Sequence, residues 1–244
     1  TIQHSNGPAM QIQSKNFRME GIQMRFTANN ADQQFLLYFS GDEAADGLAD
    51  VRITGNIFRG NAAAVNDYIN AILIYFPGGG TGGANAGDFR ISNNVFYDFV
   101  GGTHSSGILV CDEENAYIYN NTFHAVNNAI YLECRNIWGA DLPMIIAKNN
   151  LVQGATDGYR VADGMSFDAA STDNLSNLAA DAPGSNGINS ATVGFVDATN
   201  ADHSLRDFHL LSNDTVAKDQ GTTSLADDTY LRMTLDIDGA TRTG

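Results

Sequence analysis

The sequence predicts an all-β chain, a right-handed parallel β-helix (solenoid) of about six coils with a loop-rich C-terminal segment. Three observations predict it. The first is composition. Gly and Asn each occur 25 times in 244 residues, against 4 Pro. Both residues tolerate left-handed backbone and tight turns, and both are poor helix formers. The second is an internal repeat built on Asn-Asn. The third is a second short apolar segment after each Asn-Asn, with no long 3.6-residue periodicity anywhere.

The repeat aligns without gaps. Val51-Arg52-Ile53-Thr54-Gly55-Asn56-Ile57-Phe58 matches Phe89-Arg90-Ile91-Ser92-Asn93-Asn94-Val95-Phe96, Ala116-Tyr117-Ile118-Tyr119-Asn120-Asn121-Thr122-Phe123 and Ile145-Ile146-Ala147-Lys148-Asn149-Asn150-Leu151-Val152. A weaker copy, Phe17 to Met24, precedes them. The second Asn recurs at spacings of 38, 27 and 29 (94−56, 121−94, 150−121). The long first interval holds the Gly78–Gly83 run, which reads as an inserted loop. That run lacks the Gly-Lys-Ser/Thr ending of a phosphate loop.

The second strands are Phe35-Leu36-Leu37-Tyr38, Ala71-Ile72-Leu73-Ile74, Gly107-Ile108-Leu109-Val110, Ala129-Ile130-Tyr131-Leu132 and Gly158-Tyr159-Arg160-Val161, with Ala9 to Ile12 ahead of them. Short strands at a fixed repeat stack on their equivalents in a solenoid. Ile53, Ile91, Ile118 and Ala147 then form an inward column. Asn56, Asn94, Asn121 and Asn150 form an amide ladder at a turn, and Phe58, Phe96 and Phe123 a core stack. The repeat pattern stops near 162. Residues 1–162 are the expected β-helix domain and 163–244 an irregular segment that caps it, since an open solenoid end exposes strand edges.

Charge narrows the function. Thirteen Lys and Arg against 28 Asp and Glu give a net charge of −15. Nucleic-acid binding needs a basic footprint, so it is not expected. The longest clean apolar run, Ala71 to Phe76, is too short for a helical membrane span. The chain opens at Thr1, not Met, as expected of a mature or excised product. Cys111 and Cys134 differ by one in strand position, which makes a disulfide between them awkward.

With these motifs in place, the chain resembles right-handed parallel β-helix proteins of the pectate-lyase-like superfamily over roughly residues 9–162. The tail adds to it. Gly194-Phe195-Val196-Asp197, Asp207-Phe208-His209-Leu210-Leu211, Ala217-Lys218-Asp219-Gln220-Gly221 and Asp236-Ile237-Asp238-Gly239 are similar to the closing segment of secreted bacterial β-helix proteins. The resemblance implies a secreted or cell-surface location and a polysaccharide partner. It also implies lyases that use Lys or Arg as base with Ca²⁺ on carboxylates. This chain has no Lys between Lys15 and Lys148.

Aligned positions name the candidate site. Arg18, Arg52 and Arg90 share one outward column, continued by Tyr117. Glu20, Thr54, Ser92, Tyr119 and Lys148 share the next. Arg25, Arg59, Tyr97, His124 and Gln153 share a third. Neighbouring Arg side chains about 4.8 Å apart need an anion or interleaved carboxylates. One reading is a groove for an acidic polysaccharide. Arg52, Arg59 and Tyr97 bind it, and Arg90 neutralises a uronate carboxylate. Tyr117, Tyr119 or His124 then exchanges protons in β-elimination. The other reading pairs each Arg with a nearby acid such as Asp50 or Asp88. Asp42, Glu43 and Asp46 are oxygen donors suited to Ca²⁺. Glu133 and Glu113 are a further candidate pair for glycoside hydrolysis, with a solvated acidic rim or a Ca²⁺ site the favoured reading. The function classes carried forward are a polysaccharide lyase and a non-catalytic adhesion or glycan-binding module.

Overall fold

The computed structural model describes residues 2–4, 7–14, 16–27, 33–40, 50–63, 67–75, 88–111, 115–133, 143–223, 225 and 231. Three all-parallel sheets run along one axis. The five-stranded sheet holds Arg18–Glu20, Val51–Thr54, Asp88–Ser92, Asn115–Tyr119 and Ile145–Lys148. The seven-stranded sheet holds Ile2–His4, Gln23–Phe26, Ile57–Arg59, Val95–Phe99, Thr122–Val126, Leu151–Gln153 and Leu175–Ser176. The six-stranded sheet holds Gly7–Ile12, Gln34–Phe39, Ile69–Tyr75, Ser106–Cys111, Asn128–Glu133 and Asp157–Val161. The chain visits the five-, seven- and six-stranded sheets in turn, so the architecture is the parallel β-helix that the repeat predicts.

The register matches the alignment. Ile53 pairs with Ile91, Ile91 with Ile118 and Ile118 with Ala147. All four are fully buried. Phe58, Phe96 and Phe123 stack at centroid distances of 5.0 and 4.8 Å, with rings within 12° of parallel. Offset stacking of this kind adds to the burial of each ring. Gly107 faces the ring of Phe123, where a Cβ would sit 2.7 Å from it.

Both residues of Asn-Asn have a physical reason. The first sits in left-handed backbone, at φ 54° for Asn93, 56° for Asn120 and 55° for Asn149. Gly21 and Gly55 hold the same place in earlier coils. The second builds the ladder. Asn94 Nδ2 donates to Ile53 O at 2.9 Å and to Asn121 Oδ1 at 3.0 Å. Asn121 repeats the pattern onto Ile91 O and Asn150 Oδ1. The buried amides are thus paired from coil to coil.

The stack does not end where the composition changes at 163. Asp173, at φ 54°, takes the first Asn's place. Asn174 then continues the ladder, accepting from Asn150 Nδ2 at 3.0 Å and donating to Ala147 O at 2.8 Å. Leu175 and Ser176 pair with Leu151 and Val152, and isolated bridges join Thr172 to Ser185 and Leu175 to Ile188. Past this lies an antiparallel pair, Phe195–Asp197 with Asp207–Leu210, joined through a 3₁₀ turn at His203–Leu205. No helix among the described residues is long and apolar enough to cross a membrane.

Candidate functional site

The predicted columns exist, but they divide between two sheets. Arg18, Arg52, Arg90 and Tyr117 are successive partners on the five-stranded sheet. Arg25, Arg59, Tyr97 and His124 are successive partners on the seven-stranded sheet. The Asn turn lies between the two columns and redirects the chain. The groove expected from Arg52, Arg59, Arg90, Tyr97, Tyr117, Tyr119 and His124 therefore does not lie on one sheet: Arg52, Arg90, Tyr117 and Tyr119 are on the five-stranded sheet, and Arg59, Tyr97 and His124 on the seven-stranded one.

The Arg row on the five-stranded sheet is already neutralised. Asp50 accepts from Arg52 Nε at 2.6 Å and from Arg18 Nη2 at 3.0 Å, and lies 3.3 Å from Arg90 Nη1. Asp88 accepts from Arg90 Nη2 at 2.9 Å. Burial opposes ionisation of Asp50, but the hydrogen bonds and charges of Arg52 and Arg18 outweigh it and hold the carboxyl below its ordinary range. Asp50 sits at φ 57°, a left-handed position that turns its carboxylate back along the row. Arg90 is buried and its guanidinium lies 5.7 Å from the Tyr117 ring. Tyr119 is fully buried with Ile146, Leu225 and Leu231, and Lys148 lies over its ring.

The tail covers the other column. Phe195 and Phe208 pack on His124 at 5.7 and 5.6 Å, and Phe208 on Tyr97 at 5.1 Å. Arg206 places its guanidinium 5.3 Å from the Tyr97 ring and donates to Asp98 at 2.8 Å. His203 Nδ1 lies 2.9 Å from the other Asp98 oxygen. Burial, then the Arg206 charge, push the His124 pKa down, with Asp98 opposing. Burial pushes the Tyr97 hydroxyl up. Asp42, Glu43 and Asp46, with Glu113 and Cys134, lie outside the described residues. Among the described residues no three His, Cys, Asp or Glu side chains are gathered for a metal ion.

A further constellation lies on the outer side of the six-stranded sheet, which column reading passed over. Asp67 Oδ2 and His104 Nδ1 are 2.7 Å apart, and Thr103 Oγ1 and His104 N donate to Asp67 Oδ1. Burial works against the Asp67 anion, but the hydrogen bonds from His104 and Thr103 win and lower its pKa. Tyr68 and His104 stack at 4.6 Å, 10° from parallel. His104 approaches Tyr131 at 6.0 Å. Arg160 lies 4.4 Å over Tyr131 and donates to Thr103 O. Tyr131 is pushed up to about 12, first by burial and then by the charge of Glu133. Cys111 Sγ lies 4.0 Å from Glu133 Oε2, the register partner the alignment assigns to it. The turns before the second strands differ in length when counted from the Asn marker, but counted from the second strands Tyr68 and His104 are equivalent, each two residues ahead of the pair Asn70–Ser106. Tyr131 and Arg160 also align, at equivalent places in successive second strands.

Comparison with protein-family profiles, with curated proteins and with solved structures finds no match.

Proposed function

We propose that this protein is a non-catalytic, extracellular polysaccharide-binding module with a β-helix of the pectate-lyase-like kind. One observation carries the non-catalytic half. The groups suited to β-elimination are engaged or partly covered: Arg90 is held by Asp88 and Asp50, Tyr119 is fully buried, His124 packs against Phe195 and Phe208, and half-buried Tyr117 lies against the Arg90 guanidinium. A general acid or base has to reach the substrate proton directly or through one water.

The rim of the six-stranded sheet supplies the binding half. Half-buried Tyr68 and His104 offer flat faces for sugar rings, and fully buried Tyr131 supports them from beneath Arg160. Asp67, Thr103 and Arg160 offer acceptors and donors for hydroxyls beside them. Exposed Asp163 and half-exposed Asp157 add negative charge near Arg160. That balance suits neutral sugar hydroxyls better than uronates.

Affinity electrophoresis through gels containing neutral or acidic polysaccharides tests this, run with and without Ca²⁺. The expected result is retardation by a neutral glycan that Tyr68→Ala abolishes. No product absorbance should appear from new uronate double bonds on pectate, alginate or glycosaminoglycans. Double-bond formation on any of them, or retardation unchanged in Tyr68→Ala, contradicts the proposal.

A further inference from the structure

The seam between the tail and the seven-stranded sheet is built from donors that lack acceptors. Arg25 and Arg59 are register partners, so their backbones run about 4.8 Å apart. Arg206 reaches the same place from the tail. Three guanidinium charges thus act on the Tyr97 hydroxyl, two of them, Arg59 and Arg206, beside the buried carboxylate of Asp98, in a chain with more than twice as many acids as bases. Asp98 Oδ1 accepts from Arg206, while Oδ2 lies 2.9 Å from His203 Nδ1 without hydrogen-bond geometry between them. Arg59 comes no closer than 3.9 Å to Asp98. Arg25 has no ion pair with an acid among the described residues. The Nε of Arg25 and the Nε of Arg59 are sealed from solvent and make no hydrogen bond among the described residues. Asp202, whose carboxylate feels the Arg59 charge, is exposed and caps the 3₁₀ turn through Ser204.

Asp98 is there by design of the backbone. It sits at φ 62°, opposite Ala125 at φ 51°, between the pairs Tyr97–His124 and Phe99–Val126, so both strands kink together and keep their register. A left-handed residue within a strand turns its side chain out of the normal alternation. The next coils hold Ala125 at φ 51° and Gly154 at φ 72°, which carry no charge. So this left-handed position supplies a carboxylate at this coil and not at the next two, and the Nε groups of Arg25 and Arg59 are left without an acceptor among the described residues.

We infer that this seam is an anion-binding site for a compact oxyanion of the sulfate or phosphate class, free or carried as an ester on a glycan. Guanidinium forks match such oxygens bidentately, and a partly desolvated setting strengthens each bond. Arg59 and His203 keep about a quarter of their side chains in solvent, so the site is open at its edge. Tyr97 and Phe208 wall its apolar side. The site stands apart from the aromatic rim of the six-stranded sheet, and neither needs the other.

Calorimetric titration of the full chain with sodium sulfate, against sodium chloride at matched ionic strength, tests the inference. Saturable sulfate binding is expected, weakened at least tenfold by Arg25→Gln and by Arg59→Gln and unchanged by Lys218→Gln. If a variant fails to fold, the wild type decides: the side-chain ¹⁵N resonances of His203 and His124 should shift saturably with sulfate and not with chloride. A sulfated oligosaccharide and its desulfated counterpart separate the sources. Tighter binding of the sulfated form points to a glycan ester, and binding of inorganic sulfate alone to the free ion. Absence of a saturable response beyond the chloride control overturns the inference. So does affinity that is unaltered in folded Arg25→Gln and Arg59→Gln.

Discussion

A single buried amide illustrates how much one side chain holds. Asn121 accepts from both Asn94 N and Asn94 Nδ2, and donates to Ile91 O and Asn150 Oδ1. Asn121→Ala leaves buried partners on two coils unsatisfied, at about 1–3 kcal/mol for each such group. A loss of about 3 kcal/mol is expected, read as a lower denaturant midpoint at unchanged slope. The residue before the ladder behaves differently. Asn93 needs left-handed backbone, which Gly55 provides one coil earlier. Asn93→Gly should therefore be close to neutral, while Asn93→Val should cost about 1–2 kcal/mol from steric strain alone. Asp50 gives the pH dependence at this scale. Its folded pKa lies below the ordinary 3.8, so the stability it contributes is present above that value. It is lost as pH falls from 3.8 through the lowered folded value. In acid titration of the melting temperature, Asp50→Asn should be less stable than wild type at pH 7 and show a shallower fall below pH 4.

At the scale of elements, the tail hairpin is the segment most exposed to acidification. His124 packs against Phe195 and Phe208, and the charges near it are Arg206, Arg59, Asp98 and, when protonated, His203. Burial and Arg206 lower the pKa of both histidines, with Arg59 adding to the effect on His203 and Asp98 opposing for both. The unfolded chain therefore binds protons that the folded chain refuses, and stability falls as pH drops below about 6.5. Hydrogen-exchange protection factors across 195–210, corrected for the intrinsic pH dependence of exchange, should fall as pH drops from 7.5 to 5, and less so in His124→Gln. The elements also show which signals a sequence carries. Repeat strands were legible because parallel stacking keeps one residue type in one column, as with Ile53, Ile91 and Ile118. The split of Arg90 from His124 onto different sheets was not taken from the alignment, although the Asn turn separates their columns. Asn174 escaped notice because Asp173 replaces the first Asn, and both satisfy a left-handed turn.

For the whole molecule, the tail acts as more than an end cap. It adds a turn to the amide ladder through Asn174, and lays Phe195, Phe208, Arg206 and Leu225 over two outward columns. None of these contacts was legible, because Arg206 meets Asp98 across 108 residues with no periodicity to announce it. Truncation after 162 should expose Val152 and the last ladder edge, and light scattering should then show association where the full chain shows none of that origin. The central claim is that the tail packs over the Tyr97–His124 part of the outward column expected to do chemistry, and histidine accessibility tests it most directly. Diethylpyrocarbonate modification at pH 7, mapped by mass spectrometry, should reach exposed His209 quickly and His124 much more slowly while the chain is folded. Modification of His124 at the rate of His209 would contradict the account, returning that column to solvent and to the candidates for catalysis.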